Sequence, residues 1–459
     1  MWVPDLSRLD GPRYLALARA INEAIDSGAL PPGAQLPPQR NLARELNVTV
    51  GTVGRAYKIV RERRLVSGEV GRGTFVRGNS EGDGQPSYLP SLQPGTIDFA
   101  LFAANAQGLS GALSTALQEV ANCTALMPMN RYPPAAGFPT HCAAGATWIS
   151  RSGFDASADR VLICNGTQQG LMAVLLALLD GDDDEVLCEK ITYSGMKALS
   201  VVLRKKLRGI EVDESGLVPE ALERAIADSP SRLLYLQPTV HNPTGASMPP
   251  ARRRRIADLA IRYDLTVIED DSCVGGLTKR PAPIATLAPS HTIYMTGLSK
   301  SVSPAVRAAY IACPGQFYDR IVNTMHAMTL ANSPLVGEVA ASLINSGAAD
   351  KLATLHFEKL EHAHAIARKA LGDVPHRSNP AASFIWIELP SHWTSREFCD
   401  AARQIGISVV PSENHTASGT PPQAIRIAIN HLRRPELVND GIDKLKRLFS
   451  QRLSPSLTV

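Results

Sequence analysis

The chain has 459 residues, 44% of them hydrophobic and 20% charged, with a net charge of +4. That length predicts about three compact units, and the composition excludes long disorder, a coiled coil, collagen and a disulfide-built miniprotein. The average charge does not announce a nucleic-acid binder, but its distribution is uneven. Residues 1–77 carry 12 Lys and Arg against 7 Asp and Glu, so one sixth of the chain holds a net +5 and the remainder a net −1. This asymmetry suggests a small basic module on a large neutral body.

In chain order, Tyr14, Leu17, Ile21 and Ile25 recur at helical spacing, and Gly28 with Pro31-Pro32-Gly33 ends that helix. Gln39–Leu46 reads as a second, short helix. Thr49 is placed to N-cap a third, running to about Arg63. Two β-prone pieces, Leu65–Ser67 and Thr74–Val76, flank Gly71-Arg72-Gly73. Three helices and a Gly-turned hairpin make a winged helix-turn-helix pattern over residues 1–77. Residues 78–95, from Gly78-Asn79-Ser80 to Pro94-Gly95, are Gly/Ser/Pro-rich and aperiodic, as a linker is.

Beyond the linker, short apolar runs alternate with helical stretches: Val161–Cys164, Glu185–Cys188, Leu233–Gln237, Thr266–Glu269, Ile293–Met295 and Tyr310–Cys313. The alternation predicts an α/β fold, a mostly parallel sheet covered on both faces, over residues 96–334. A helical region at about 335–371, then strand-like Phe384–Leu389, Ile407–Val410 and Ile425–Ile429, predicts a smaller α+β domain over 335–459. Cysteines 123, 142, 164, 188, 273, 313 and 399 are odd in number and form no CxxC. They read as reduced, mostly buried thiols in the cytoplasm. The N-terminus lacks a signal pattern, the longest apolar run (Leu171–Leu179) is too short to span a bilayer, and the eleven histidines lack metal-ligand spacing.

Three blocks in the first module carry a resemblance. Leu36–Leu46, Val50–Tyr57 and Gly71–Val76 together resemble the DNA-binding domain of the GntR family. The resemblance implies a double-stranded DNA operator. It implies Thr52 and Arg55 on the recognition helix, Arg40 opening the preceding helix toward phosphate, and Arg72 and Gly73 at the wing tip as DNA contacts. Val50 stands where relatives often place an arginine, and Gly51 and Gly54 weaken the recognition helix by about 1 kcal/mol each relative to Ala.

In the body, Ile293–Lys300 followed by Val302, Pro304 and Arg307 resembles the lysine segment of fold-type I aminotransferases. Those enzymes hold pyridoxal 5′-phosphate (PLP) as a Schiff base, which implies Lys300 as the imine-forming lysine. Ser299 and Arg307 then belong beside the cofactor phosphate, with Gly166, Thr167 and Gln168 of Asn165–Gln169, a loop that opens a helix. Tyr193 matches the aromatic stacked on the pyridine ring. Asn242, in His241-Asn242-Pro243-Thr244-Gly245, matches the donor to the 3′-oxygen. Asp270 matches the carboxylate paired with the pyridinium nitrogen, with Asp271 as the alternative. Tyr132 resembles a tyrosine that reaches the phosphate from a neighbouring subunit. Arg426 resembles the fork that clamps a substrate α-carboxylate. Two positions depart from the pattern. Ser272 and Cys273 stand where relatives carry a tyrosine for the 3′-oxygen, and Gly297 stands where a hydroxyl residue is common.

A GntR-type head on an aminotransferase-like body resembles the MocR/GabR group of bacterial transcription regulators. The resemblance implies a head-to-tail homodimer. It also implies a small amine or amino acid as effector, exchanging with the lysine–PLP internal aldimine. The competing expectation is a working aminotransferase with a vestigial head.

Overall fold

A computed structural model describes residues 2–5, 12–27, 29–31, 33–62, 65–69, 73–76, 96–102, 104, 108–122, 132–181, 184–273, 280–429 and 435–450. The linker 78–95, the wing residues Gly71 and Arg72, Arg131 and Cys123 lie outside them. The chain divides into two compact units, Met1–Pro94 and Gly95–Val459.

In the first unit, helices Arg13–Asp26, Gln39–Glu45 and Val50–Glu62 precede strands Val66–Glu69 and Gly73–Val76, which pair antiparallel. Leu17, Ile21, Leu42, Val53, Val60, Val66 and Val76 converge in one core, the burial that makes three short helices stable. The Thr49 side chain caps the third helix by accepting from Thr52 N at 3.1 Å. Residues 33–36 run alongside the hairpin as a third edge: Leu36 N donates to Thr74 O and Val76 N to Ala34 O. Gly73, at φ +127°, lies against the Gln35 side chain, where a Cβ would collide.

In the second unit, a seven-stranded sheet runs in the order Val161–Cys164, Ala309–Ala312, Thr292–Gly297, Thr266–Asp270, Leu233–Leu236, Glu185–Glu189, Lys206–Ile210. The strand Ala309–Ala312 is antiparallel to both neighbours, and the other pairs are parallel. Most strands are apolar on both faces, as a sheet sandwiched between helices requires. Val186, Cys188, Leu233 and Ile268 pack against helices Thr167–Leu178, Ser194–Leu203 and Gly315–Thr329. Leu187, Leu234, Leu236 and Val267 face the opposite way, against helices Pro219–Asp228 and Pro250–Arg262.

The smaller sheet is antiparallel, in the order His376–Ser378, Phe384–Glu388, Ala424–Ala428, Val410–Pro411. Two sequence expectations change in detail here. Ile407–Val410 is two strands: Ile407–Ser408 pairs with Ile97–Asp98, and Val410–Pro411 pairs with Ile425 and Arg426. Pro411 lacks the N–H that would extend the second. The region 335–371 is two helices, Pro334–Asn345 and Ala348–Leu371, broken at Gly347 with φ +74°. By packing, the first of these and the start of the second belong to the large core, while Ile97 and Phe99 join the small one. Among the described residues no helix is long and apolar enough to cross a membrane. The six described cysteines are free thiols, all buried except the half-buried Cys273.

Candidate functional site

Ends of the large-sheet strands and one small-sheet strand bring the body's candidate residues together. The strand Thr266–Asp270 ends on Asp270, which is buried. Its Oδ2 accepts from Tyr235 Oη at 2.7 Å and Gln237 Nε2 at 3.0 Å. Its Oδ1 accepts from Ser272 N at 3.0 Å and from the Ser272 hydroxyl. Burial raises its pKa, and these four donors oppose the rise. No cation pairs with this carboxylate among the described residues. Asp271 faces elsewhere, toward the Arg280 guanidinium and the Tyr294 hydroxyl in a buried ion pair. Of the two acidic candidates, Asp270 is the one left with a cation to find.

Lys300 follows the strand Thr292–Gly297. Its Nζ donates to Phe102 O at 2.7 Å and lies 4.1 Å from the Phe102 ring centroid. Burial lowers the pKa of its ammonium; Cys273 opposes this, while Arg426 and Arg307 add to it. Arg307 donates to Ser299 Oγ at 3.2 Å and to Asn165 O at 3.4 Å. Its guanidinium lies against Gly166, the residue at φ +87° that opens helix Thr167–Leu178. A helix N-terminus, an arginine and a hydroxyl thus form an anion cradle. Gln168 Nε2 donates to Gly195 O at 2.9 Å, while its buried Oε1 has no partner. Tyr193 precedes helix Ser194–Leu203. Its phenol, pushed up to about 12 chiefly by burial, feels Asp270, Cys273, Arg426 and Arg307. Tyr193 is therefore close to both the acidic and the basic groups of the site.

Arg426, in the strand Ala424–Ala428, donates to Asn242 Oδ1 at 3.2 Å and to Ala100 O. Its guanidinium lies 5.1 Å from the Phe102 ring. Its Nε is buried without a partner, and burial lowers its pKa to about 10. The Asn242 backbone N–H donates to Gln237 Oε1 at 3.1 Å, so Gln237 links the Asn242 turn to Asp270. Tyr132 is at the surface, 82% exposed. Cys273 occupies the site itself: its thiol, raised to about 12 by burial, interacts with Asp270, Lys300 and Arg426.

These groups fit PLP. An uncompensated buried carboxylate suits a pyridinium N–H, an anion cradle suits the phosphate, and a desolvated lysine suits an aldehyde. Sequence reading missed Tyr235, Gln237 and Phe102. Tyr235 is the single hydroxyl in the buried strand Leu233–Leu236, a detectable signal. Phe102 lies 198 residues from Lys300 and carries none.

In the head, Arg40 and Arg55 are exposed and Thr52 is half-buried, its hydroxyl 2.9 Å from that of Thr49. Gly54 faces Gln39, where a Cβ would approach the Gln39 side-chain oxygen at 3.3 Å. Arg72 is outside the described residues, and Gly73 is exposed.

Residues 13–76 match the family of bacterial regulatory proteins, gntR family, and residues 102–439 match aminotransferase class I and II. The chain is 30% identical to the HTH-type transcriptional regulator YdeF of Bacillus subtilis (strain 168), over 98% of this chain and 96% of that one. It is 25% identical to the 2-aminoadipate transaminase of Thermus thermophilus over 71% of this chain and 82% of that protein. Among solved structures, the kynurenine aminotransferase of Pyrococcus horikoshii superposes with a TM-score of 0.72 at 22% identity, covering 79% of this chain and 92% of that one. That likeness shows the fold. The chain therefore belongs to the MocR-type GntR-family transcriptional regulators, in which a DNA-binding winged helix-turn-helix is joined to an aminotransferase class I and II body that takes PLP.

Proposed function

We propose that this regulator senses a small amine or amino acid through Lys300 and PLP, and that occupancy of the body changes the hold of two heads on DNA. One observation carries the reading. A half-buried lysine, a buried carboxylate that no cation among the described residues pairs with, and a buried arginine with an unpartnered Nε meet in one site, on a chain whose residues 13–76 match a DNA-binding family. When bound, the cofactor supplies an aldehyde for a primary amine and an electron-withdrawing ring.

The residue roles follow from chemistry. Lys300 is the covalent attachment point, and its lowered pKa keeps more of its amine unprotonated. Asp270 accepts the ring N–H, held in orientation by Tyr235, Gln237 and Ser272. Asn242 donates to the 3′-oxygen, and Cys273, a neutral thiol, stands in place of the phenol that relatives carry there. Tyr193 stacks on the ring. Gly166, Thr167, Gln168, Ser299 and Arg307 hold the phosphate, with Tyr132 of a neighbouring subunit in a head-to-tail homodimer. Arg426 holds the effector carboxylate. Arg40, Thr52, Arg55, Arg72 and Gly73 contact operator DNA. The arrangement is allosteric when effector affinity differs between DNA-competent and DNA-incompetent states.

The test is Lys300→Ala, footprinted on the protein's own upstream DNA with and without PLP and a panel of amines. The variant is expected to lose the imine absorbance and the effector response and to keep DNA binding. An unchanged visible spectrum refutes the lysine assignment. The intact Lys300–Asp270–Arg426 set also favours a second reading, a working aminotransferase. Steady multiple-turnover exchange between an amino acid and a keto acid would establish it.

A further inference from the structure

The segment Ala100–Phe102 crosses the site between Lys300 and Arg426. It takes up both cations at once. The Phe102 carbonyl accepts from Lys300 Nζ at 2.7 Å, and the Ala100 carbonyl accepts from the Arg426 guanidinium. The Phe102 ring adds a cation–π face to each, at 4.1 Å from Lys300 Nζ and 5.1 Å from Arg426 Cζ. The ring is itself held by Phe384, with centroids 5.2 Å apart.

These are the places where the effector's two groups belong under the proposed function. An amine must reach the lysine end, and a carboxylate must reach Arg426. A neutral carbonyl is a poor partner for a buried guanidinium, and Arg426 Nε stays unpartnered beside it. A carboxylate offers two charged oxygens and satisfies the fork better. The crossing segment is therefore a weak occupant, suited to being displaced. Its root is secured: Phe99 N donates to Ser408 O at 2.8 Å and Phe99 O accepts from Ala428 N at 2.7 Å. Ala100 N also donates to Asp98 Oδ1 at 2.8 Å, so the anchor reaches the Ala100 amide, and the Ala100 carbonyl and Phe102 lie beyond it.

We propose that Ala100–Phe102 is a built-in competitor of the effector, with Phe102 as the residue that sets how readily, and for what size of amino acid, the site opens. The inference rests on the sensing role assigned to Lys300 and Arg426. A site closed in most molecules binds with an affinity reduced by its open fraction. An effector carboxylate replaces the Ala100 carbonyl on Arg426, whereas a simple amine leaves that contact in place.

The test uses the full PLP-loaded chain in three forms: the parent, Phe102→Ala and Phe102→Leu. Visible absorbance is titrated with a series of α-amino acids and their decarboxylated amines. The rate at which PLP reacts with Lys300 in the cofactor-free chain is recorded separately. Phe102→Ala is expected to bind α-amino acids on the order of tenfold more tightly, accept bulkier side chains and take up PLP faster. Phe102→Leu, which keeps an apolar plug without the cation–π face, falls between. Its intermediate affinity guards against misfolding of the alanine variant. If Phe102→Ala and Phe102→Leu both bind amino acids as well as or worse than the parent, Phe102 is a wall of the site and the competitor is overturned. If no form responds spectrally to any amine while PLP still binds, the sensing role fails and takes this inference with it.

Discussion

Gly166→Ala separates the anion cradle from the rest of the site. Gly166 has φ +87° and ψ 155°, backbone that only glycine adopts without strain. A side chain there costs about 1–3 kcal/mol. The added Cβ would also collide with the Arg307 guanidinium, with Cζ at 2.8 Å. Arg307 must leave its places on Ser299 Oγ and Asn165 O. A charge-assisted hydrogen bond to phosphate is worth about 1.5–3 kcal/mol, so PLP affinity should fall about 10–150-fold. Gly153→Ala is the control. Gly153 also has positive φ, +84°, but its Cβ would meet nothing within 4 Å, so it bears backbone strain alone, about 1–2 kcal/mol. Thermal unfolding of the cofactor-free chains reads the strain, and absorbance titration with PLP reads the cradle. Both variants should unfold at lower temperature, and only Gly166→Ala should lose PLP affinity. If Gly166→Ala binds PLP as tightly as Gly153→Ala, Arg307 does not hold the phosphate and the cradle argument is wrong.

Asp271→Asn should cost about 3–5 kcal/mol of stability, because it leaves the buried Arg280 guanidinium unpaired. Asp270→Asn should instead change the visible spectrum of the PLP form with a smaller stability loss, and spectra paired with melting curves distinguish the two carboxylates. Arg55→Ala should weaken operator binding and, for a phosphate contact, lower the salt slope by about 1; an unaltered footprint moves DNA contact to the wing or another helix face. His356 is fully buried, and burial depresses its pKa from 6.5 to about 4. Its neutral ring contributes fully above pH 6.5, and that contribution is lost as pH falls through about 4. His356→Leu should therefore lose less stability than the parent over that interval in denaturant unfolding, and an equal loss refutes the assignment.

Much of this protein was legible without coordinates because its signals are local. Thr49 caps the third helix since a short hydroxyl side chain before a helical run reaches its own N–H groups. The strands read as apolar runs because most are buried on both faces. His241–Gly245, Ser299-Lys300 and Glu269-Asp270-Asp271 are contiguous, so a resemblance could place them before any fold was known.

What remained hidden depends on distance in the chain. Asp270 and Asp271 are chemically identical in a sequence. Strand geometry sends one to Tyr235 and Gln237 and the other to Arg280. The apolar run Ile407–Val410 gave no hint that it serves two partners, Asp98 on one side and Arg426 on the other. Phe102 is an ordinary aromatic until folding lays it across Lys300 and Arg426, residues from opposite parts of the chain. Local propensity and motif chemistry determined the two-module plan and the kind of site. Only tertiary packing, which joins residues hundreds of positions apart in one desolvated volume, decided that Asp271 is paired with Arg280 while Asp270 is not, and that Ala100 and Phe102 lie against Arg426 and Lys300.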